Sequence, residues 1–215
     1  MARSAAASIE PDTRSRLIEA AGRLFADQGY KRVTIRQICR AAGANVAAVN
    51  YHFGGKLGIY REVLETAIGK LQRVTEESIR AGAGKPADVR LRQFVRVFVT
   101  TVAQGGPTWI RGLMFRETWD PTPALGELVE RGLRPRIEYL SGILAELLGL
   151  PPSDRRVRMC AGSVQSQLVM AAWNPVAEHL YPGRPPTRED IDAIVDHITR
   201  FSLGGLSALS DSRGR

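Results

Sequence analysis

Every substantial segment of this chain places its apolar residues at helical spacing. In the segment 91–102, for example, they follow the i, i+3, i+4, i+7 pattern that lines one face of an α-helix. We find no convincing run in which apolar and polar residues alternate, as they do in a half-buried strand. Because 44% of the 215 residues are hydrophobic, the chain can bury a substantial core. The spacing therefore predicts an all-α fold.

Capping residues mark short helices near the amino end. Asp12 or Thr13 can cap a first helix, which stops near Gly29. Thr34 and Gln37 form the Thr-x-x-Gln pattern of a capping box at the start of a second, short helix.

The second helix ends at Gly43, and a third helix follows almost directly. Asn45 can cap this third helix, and the glycine pair at 54–55 ends it. Lys56 then opens a longer helix that fades in the Gly- and Ala-rich stretch 81–87. Two short helices joined through a glycine match a helix-turn-helix.

The chain beyond this linker is also helical, and it is more apolar. Pro135 is expected to disturb its longest helix, and Thr187 caps the last one with Asp190 at the third helical position. Residues 174–186 are expected to form a loop. The predicted helices cover about 91–102, 111–119, 124–148, 151–173 and 187 onward.

Positive charge is concentrated at the amino end. The formal net charge is +8, and residues 1–60 carry nine Lys or Arg against four Asp or Glu. No acidic residue occurs between Asp27 and Glu62, whereas six basic residues occur in the same interval. A basic segment without acids inside a folded unit favours a polyanion as the partner. A chance excess of arginine would give the same count.

The third helix has an unusual outward face. A helical wheel at about 100° per residue turns Val49 and Phe53 toward the core, with Val46 beside them. Ala47 and Ala48 point away. Bare alanines on an outward face make sense if another molecule must come close. The major groove of DNA is about 12 Å wide and admits an α-helix, whose Ala methyl groups can contact thymine methyl groups.

Polar side chains around that face extend the prediction. An Asn amide can pair with adenine, and Arg36 on the second helix is long enough to reach a guanine edge. Tyr51, His52 and Lys56 are expected to hold phosphates, as are the amide groups at the helix N-terminus. Each residue also has an ordinary structural interpretation, and Asn45 could serve only as a cap. The predicted DNA-binding residues are Thr34, Arg36, Asn45, Ala47, Ala48, Asn50, Tyr51, His52 and Lys56.

The segment 14–64 resembles the DNA-binding domain of the tetracycline-repressor (TetR) family of regulators. The resemblance rests on LFADQGY at 24–30, TIRQICRAAGAN at 34–45 and NYHFGGK at 50–56. One departure is Asn50, where the family pattern has Tyr, and this departure is expected to change the base preference.

The resemblance implies a helical C-terminal domain that binds a small molecule and dimerises. We predict a DNA-binding domain over 1–55, of which 1–11 form a flexible lead-in, and a ligand-binding and dimerisation domain over 56–215. Large apolar side chains in the second domain together suit a ligand pocket, although any one of them taken alone is more often a core residue. Arg116 and Glu117 could bind polar groups of a ligand or pair with each other. The predicted ligand-binding residues are Phe94, Phe98, Trp109, Met114, Phe115, Trp119, Gln167, Met170 and Trp173.

The last two long helices carry apolar stripes suited to pairing with a second copy of the chain. Two such stripes per chain, related by a two-fold axis, make a four-helix bundle. A homodimer would also present two reading helices about 34 Å apart, which suits a palindromic site. The predicted interface residues are Val164, Leu168, Ile191, Ile194, Val195, Ile198 and Phe201.

These features predict a ligand-responsive transcriptional regulator. A repressor that a small molecule releases from a palindromic operator on double-stranded DNA is the preferred interpretation, and an activator of the same fold remains open. The small molecule itself is not identified by the sequence.

An all-helical enzyme and a scaffold protein are the rival interpretations. The chain lacks the G-x-S-x-G, H-E-x-x-H, G-x-G-x-x-G and P-loop motifs, and its three histidines are scattered. A scaffold would leave the basic segment unexplained. No cofactor and no metal are predicted.

No apolar run approaches the roughly 18–20 residues of a membrane span, and the amino end lacks the apolar centre of a secretory signal. We therefore expect a cytoplasmic protein.

Overall fold

The computed structural model of the protein describes residues 12–103, 108–171 and 187–211. These residues form helices and turns without a β-strand, which confirms the predicted all-α fold. In chain order the helices are α1 (Thr13–Gln28), α2 (Ile35–Ala42), α3 (Val46–Phe53), α4 (Lys56–Gly82), α5 (Ala87–Ala103), α6 (Thr108–Trp119), α7 (Leu125–Glu127), a π-helix (Leu128–Leu133), α8 (Arg134–Leu148), α9 (Arg155–Ala171) and α10 (Arg188–Asp211).

The helices form two compact units. Among the described residues, the first unit takes in the chain up to Ala67 together with the segment 108–126, and the second unit takes in the remainder. The first unit therefore contains more than the predicted domain 1–55, because the start of α4 and all of α6 belong to it. The helix break predicted at 105–107 and the loop predicted over 174–186 lie outside the described residues.

The predicted caps define α1, α2 and α3. Asp12 caps α1 by accepting from the Ser15 amide at 2.7 Å, and Thr34 and Gln37 form a reciprocal capping box on α2. Gly43 and Gly54 end α2 and α3 with positive φ angles of 61° and 68°, a conformation that side chains with a Cβ disfavour. These local predictions are confirmed.

The core of the first unit joins the three short helices to the start of α4 and to α6. Each of these elements contributes buried side chains to this core. They include Leu17, Phe25, Ile38, Val49, Ile59 and Val63, with Trp109, Ile110 and Leu113 from α6 packed against them.

Helix α6 is fixed to α1 by close packing and by polar contacts. The Trp109 ring lies against Gly22, so close that a Cβ at Gly22 would stand 2.6 Å from a ring carbon. The Trp109 indole donates to Glu19 at 2.8 Å. Arg116 donates to the backbone oxygens of Ala26 at 2.9 Å and of Asp27 at 2.6 Å, at the end of α1. Arg116 thus satisfies carbonyl groups that the helix leaves open.

Glu117 is buried in the first unit and does not pair with Arg116. Its carboxylate accepts from the hydroxyl of Tyr60, from the Thr122 amide at 3.0 Å and from the Thr122 hydroxyl at 2.8 Å. Burial and the hydrogen bond to Glu117 raise the pKa of Tyr60. Of the two alternatives left open for these residues, the mutual Arg116–Glu117 pair is therefore wrong, because each side chain has its own structural partners.

The second unit packs α5, α8, α9 and α10 around one apolar core. The buried residues of this core include Leu91, Phe94, Leu140, Ile143, Val157, Leu168, Val195 and Ile198. Two ion pairs also join α5 to α10: Arg92 to Asp196 at 2.9 Å and Arg96 to Asp192 at 2.5 Å.

The disturbance predicted at Pro135 takes the form of the π-helix that comes just before α8. The amide of Arg134 donates to the carbonyl oxygen of Val129, five residues earlier. Pro135 has no amide hydrogen, so the hydrogen-bond ladder cannot continue through it. None of the described helices combines the length and the hydropathy that crossing a membrane requires.

Candidate functional site

Most side chains of helix α3 are exposed to solvent. Val49 is its only fully buried side chain, and Phe53 is half-buried against the core of the first unit. Tyr51 is 86% exposed, which is an unusually high value for an aromatic side chain in a short helix. The Asn45 side chain accepts from the Ala48 amide at 2.9 Å, so Asn45 is a helix cap.

Most of the predicted DNA-binding residues are exposed together on α2, α3 and the turn between them. The exposed members are Thr34, Arg36, Asn45, Ala47, Asn50, Tyr51 and His52. Two positions of the wheel differ from the prediction. Val46 is 43% exposed, because it is the first residue of α3 and lies beyond the edge of the core. Ala48 is half-buried and packs against that core.

An open concavity lies along this face. Its lining residues are Thr13, Arg16, Gly43, Ala44, Asn45, Ala47, Ala48, Tyr51 and His52. Four of them were not predicted to bind DNA: Gly43 and Ala44 between α2 and α3, and Thr13 and Arg16 in the first turn of α1. Arg16 donates to the Thr13 hydroxyl at 3.3 Å, since residues three apart share a helix face. The exposed cation of Arg16 was visible in the sequence, but its position beside α3 was not.

Lys56 is held more firmly than an ordinary surface lysine. Its ammonium group lies 4.6 Å from the centre of the Tyr30 ring and donates to the Lys31 carbonyl oxygen at 3.3 Å. A lysine ammonium has three donors, so it retains capacity for a phosphate oxygen.

Basic residues of the amino-terminal region have acidic neighbours in space. Asp120 pairs with Lys31 at 3.2 Å. Glu62 pairs with Arg14 at 2.5 Å, and the guanidinium of Arg14 also lies 5.6 Å from the centre of the Phe53 ring. The contacts of Arg14 tie α1 to α3 and α4. None of the residues that line the concavity along α3 is acidic.

The predicted ligand-binding residues are divided between the two units. Trp109, Met114, Phe115 and Trp119 belong to α6 in the first unit, Phe94, Phe98, Gln167 and Met170 belong to the second, and Trp173 lies outside the described residues. Trp109 packs on α1, whereas Trp119 is 85% exposed. Gln167 donates to the Ser202 hydroxyl at 3.4 Å, between α9 and α10.

The predicted dimer stripe is largely an internal stripe. Val164, Leu168, Val195 and Ile198 are buried in the core of the second unit, and Ile191 and Ile194 pack against that core. Phe201 is 65% exposed, as are Met159 at 61% and Leu209 at 44% on the same two helices. Helical spacing identifies an apolar face but not the element that covers it.

No group of three or more His, Cys, Asp or Glu side chains that could hold a metal ion occurs in the described part of the chain. The arrangement that does occur, a helix-turn-helix with a small, polar and exposed second helix and flanking cations, defines a DNA-binding regulator.

Comparison with known proteins gives the family. Residues 17–63 match the model for bacterial regulatory proteins of the tetR family, and residues 87–206 match the C-terminal domain of the HTH-type transcriptional dual regulator CecR. The chain belongs to the TetR family of transcriptional regulators, and not to a family of enzymes.

Individual relatives agree with this assignment. The HTH-type transcriptional regulator SrpR of Pseudomonas putida is 47% identical over 64 residues, which are 30% of each chain, so the match spans less than a third of that relative. The HTH-type transcriptional regulator BetI of Rhizobium meliloti is 33% identical over 72% of this chain and 74% of the relative. The structure of the TetR family regulator PfmR from Thermus thermophilus has a similar fold, with a TM-score of 0.63 and 22% identity over 88% of this chain and 97% of that one.

Proposed function

We propose that this regulator is a homodimeric repressor that leaves a palindromic operator when a small molecule binds. The observation that carries the DNA-binding part is the surface of α3, which buries one side chain fully and exposes Ala47, Asn50, Tyr51 and His52. A helix with so little attachment to its own core has a face free for the major groove. We also propose that the protein acts in the cytoplasm, where its DNA target would lie.

The test is operator binding by single-residue variants. We expect Arg36→Ala and Tyr51→Ala to weaken binding about 5- to 150-fold each, since one base or phosphate contact contributes about 1–3 kcal/mol. Both residues are exposed, so the melting temperature should stay near that of the parent. Arg155→Ala is the matched control, because it removes an exposed arginine from α9 in the second unit.

Operator fragments would first be selected from random DNA and then used in mobility-shift assays. Affinity should also fall steeply as the salt concentration rises, because cations displaced from phosphates are released on binding. Equal affinity of parent and both variants, or binding that does not respond to salt, would refute the assignment of α3 as the reading helix.

The sign of regulation has a second candidate. The family model that matches residues 87–206 is named for a dual regulator, so activation of transcription by the same fold has support. Transcription from an operator-containing promoter in a purified system separates the two: a repressor lowers the transcript level when it binds, and an activator raises it.

Ligand response requires an element that reaches both units. Helix α4 contributes residues to each of them, and we propose that its residues 56–80 carry the response to the DNA-binding helices. A small molecule changes operator affinity only to the extent that it binds one conformation better, by about 1.4 kcal/mol for each tenfold change.

A further inference from the structure

Arg136 is an arginine in a place where a charged side chain is rarely found. It lies in the first turn of α8, in the second unit, and has 2% of its surface exposed. Burial lowers its pKa to about 10, which still leaves the guanidinium protonated at neutral pH. The second unit therefore contains a full positive charge that water does not reach.

Two aromatic rings cover the guanidinium. Its central carbon lies 4.1 Å from the centre of the Phe94 ring and 4.6 Å from that of the Phe98 ring, both on α5. Such cation–π contacts stabilise the charge through the faces of the rings. They do not engage the five N–H donors, which project in the plane of the guanidinium.

Those donors have no acceptor among the described residues. Arg136 Nε, Nη1 and Nη2 are all buried and all lack a hydrogen-bond partner there. Two carboxylates that precede α8 are already bound elsewhere: Glu127 pairs with Arg131 and Glu130 pairs with Arg134, each at 2.5 Å. Glu138, two residues after Arg136 on α8, is exposed, whereas the Arg136 nitrogens are buried. A buried charge without a partner destabilises a folded chain, so its presence calls for a reason beyond packing.

The backbone next to Arg136 is also irregular. The π-helix Leu128–Leu133 ends three residues before Arg136 and leads directly into the first turn of α8. A π-helical turn rotates the residues that follow it, at the loss of regular hydrogen bonding, and such turns are frequent at functional sites. The irregular turn and the unpaired cation therefore occur together at the start of one helix.

We propose that Arg136 binds the carboxylate of an otherwise apolar small molecule. A guanidinium presents two parallel N–H donors that match the two oxygens of a carboxylate. One buried cation neutralises one negative charge, which favours a carboxylate over a doubly charged phosphate ester. The Phe94 and Phe98 rings favour an apolar body next to that carboxylate. This inference rests on the proposed function, because it names the chemical class of the effector.

The test measures direct binding to the full-length protein by calorimetry. The probes are decanoate and naphthoate, with decanamide as the uncharged match for decanoate and decyl phosphate as the alternative anion. The first variant is Arg136→Met, which replaces the charged side chain with an unbranched apolar one. The second is Arg136→Lys, which keeps the charge without the planar pair of donors. Arg134→Met is the matched control, because it removes an exposed arginine two residues away on α8.

The parent should bind at least one carboxylate, and it should bind decanoate at least tenfold more tightly than decanamide. Arg136→Met should lose that preference, Arg136→Lys should retain only part of it, and Arg134→Met should keep it. Without any ligand, Arg136→Met should melt at or above the temperature of the parent, because the variant no longer buries an unpaired charge.

Three results would overturn the inference: no binding of either carboxylate to the parent, an unchanged preference in Arg136→Met, or tighter binding of decyl phosphate than of decanoate. A ligand-free Arg136→Met protein that melts well below the parent would assign Arg136 a structural role and would also overturn it. Operator affinity is measured separately on the parent. A protein that binds decanoate through Arg136 and yet stays on its operator keeps this inference and refutes ligand release.

Discussion

The contact between Gly22 and Trp109 gives a sharp test of how α6 is attached to α1. Replacing Gly22 with alanine would place a Cβ 2.6, 2.7 and 2.9 Å from three carbons of the indole ring. Carbon atoms at optimal separation lie about 3.5–4.0 Å apart, so the overlap is close to 1 Å. The ring cannot move freely, because Trp109 is 4% exposed and its indole donates to Glu19.

Two opposing effects set the size of the change in stability. Overpacking of a filled site typically destabilises by about 1–3 kcal/mol. Alanine is favoured over glycine inside a helix by about 1 kcal/mol, and Gly22 lies within α1. We therefore expect Gly22→Ala to lower the free energy of unfolding by up to about 2 kcal/mol. The same substitution in a Trp109→Leu background should raise it by up to about 1 kcal/mol, because the clash is gone.

Urea unfolding at one fixed protein concentration measures both effects. Gly142→Ala is the matched control, since Gly142 lies inside α8 and an added Cβ there would meet nothing within 4 Å. The control should gain about 0.5–1 kcal/mol. If Gly22→Ala stabilised the parent as much as the control does, α6 would not pack on α1 as described, and the reasoning would be refuted.

Three further predictions concern the caps, the ion pairs and the dimer surface. Thr34→Ala removes the acceptor for the Gln37 amide and should lower stability by about 1 kcal/mol in urea unfolding, whereas Thr34→Ser should not. Hydrogen bonds from arginines on α5 hold the pKa of Asp192 and Asp196 below the usual range. The two ionised carboxylates therefore stabilise the fold at pH values above the unfolded pKa of about 3.9, and this stabilisation is lost as the pH falls through the folded pKa. In acid, the melting temperature of a variant with Asn at both positions should fall less steeply than that of the parent. Phe201→Asp should shift the protein toward monomer in sedimentation equilibrium without lowering helicity, because this side chain is 65% exposed in the single chain; an unchanged dimer would remove Phe201 from the interface.

Local signals in the sequence were sufficient to predict the DNA-binding helices. The capping box of Thr34 and Gln37, the Asn45 cap and the glycine at 43 act through residues only a few positions apart, and all of them are present. The exposed face of α3 followed from the same short-range reasoning, because a helix of eight residues has few ways to bury its side chains.

Contacts between distant segments could not be predicted in this way. The pattern around Trp109 is equally compatible with a ligand pocket and with packing on α1, and only the three-dimensional position of Gly22 distinguishes them. The stripe containing Val195 illustrates the same limit, since its spacing would suit an interface between chains as well as the core that it occupies. Arg136 lies in an apolar helix, and no sequence pattern showed that its nitrogens would lack acceptors.

The attachment of α6 to α1 has a practical consequence for anyone who wishes to graft this DNA reader onto another effector module. A chimera spliced after residue 55 or 67 would leave behind Trp109, Leu113 and Arg116. It would lose side chains that pack in the core of the DNA-binding unit, and it would lose the hydrogen bonds from Arg116 to the last carbonyl groups of α1. The transplantable cassette is discontinuous: it consists of the amino-terminal segment plus residues 108–126, and the recipient must supply a connection between the two.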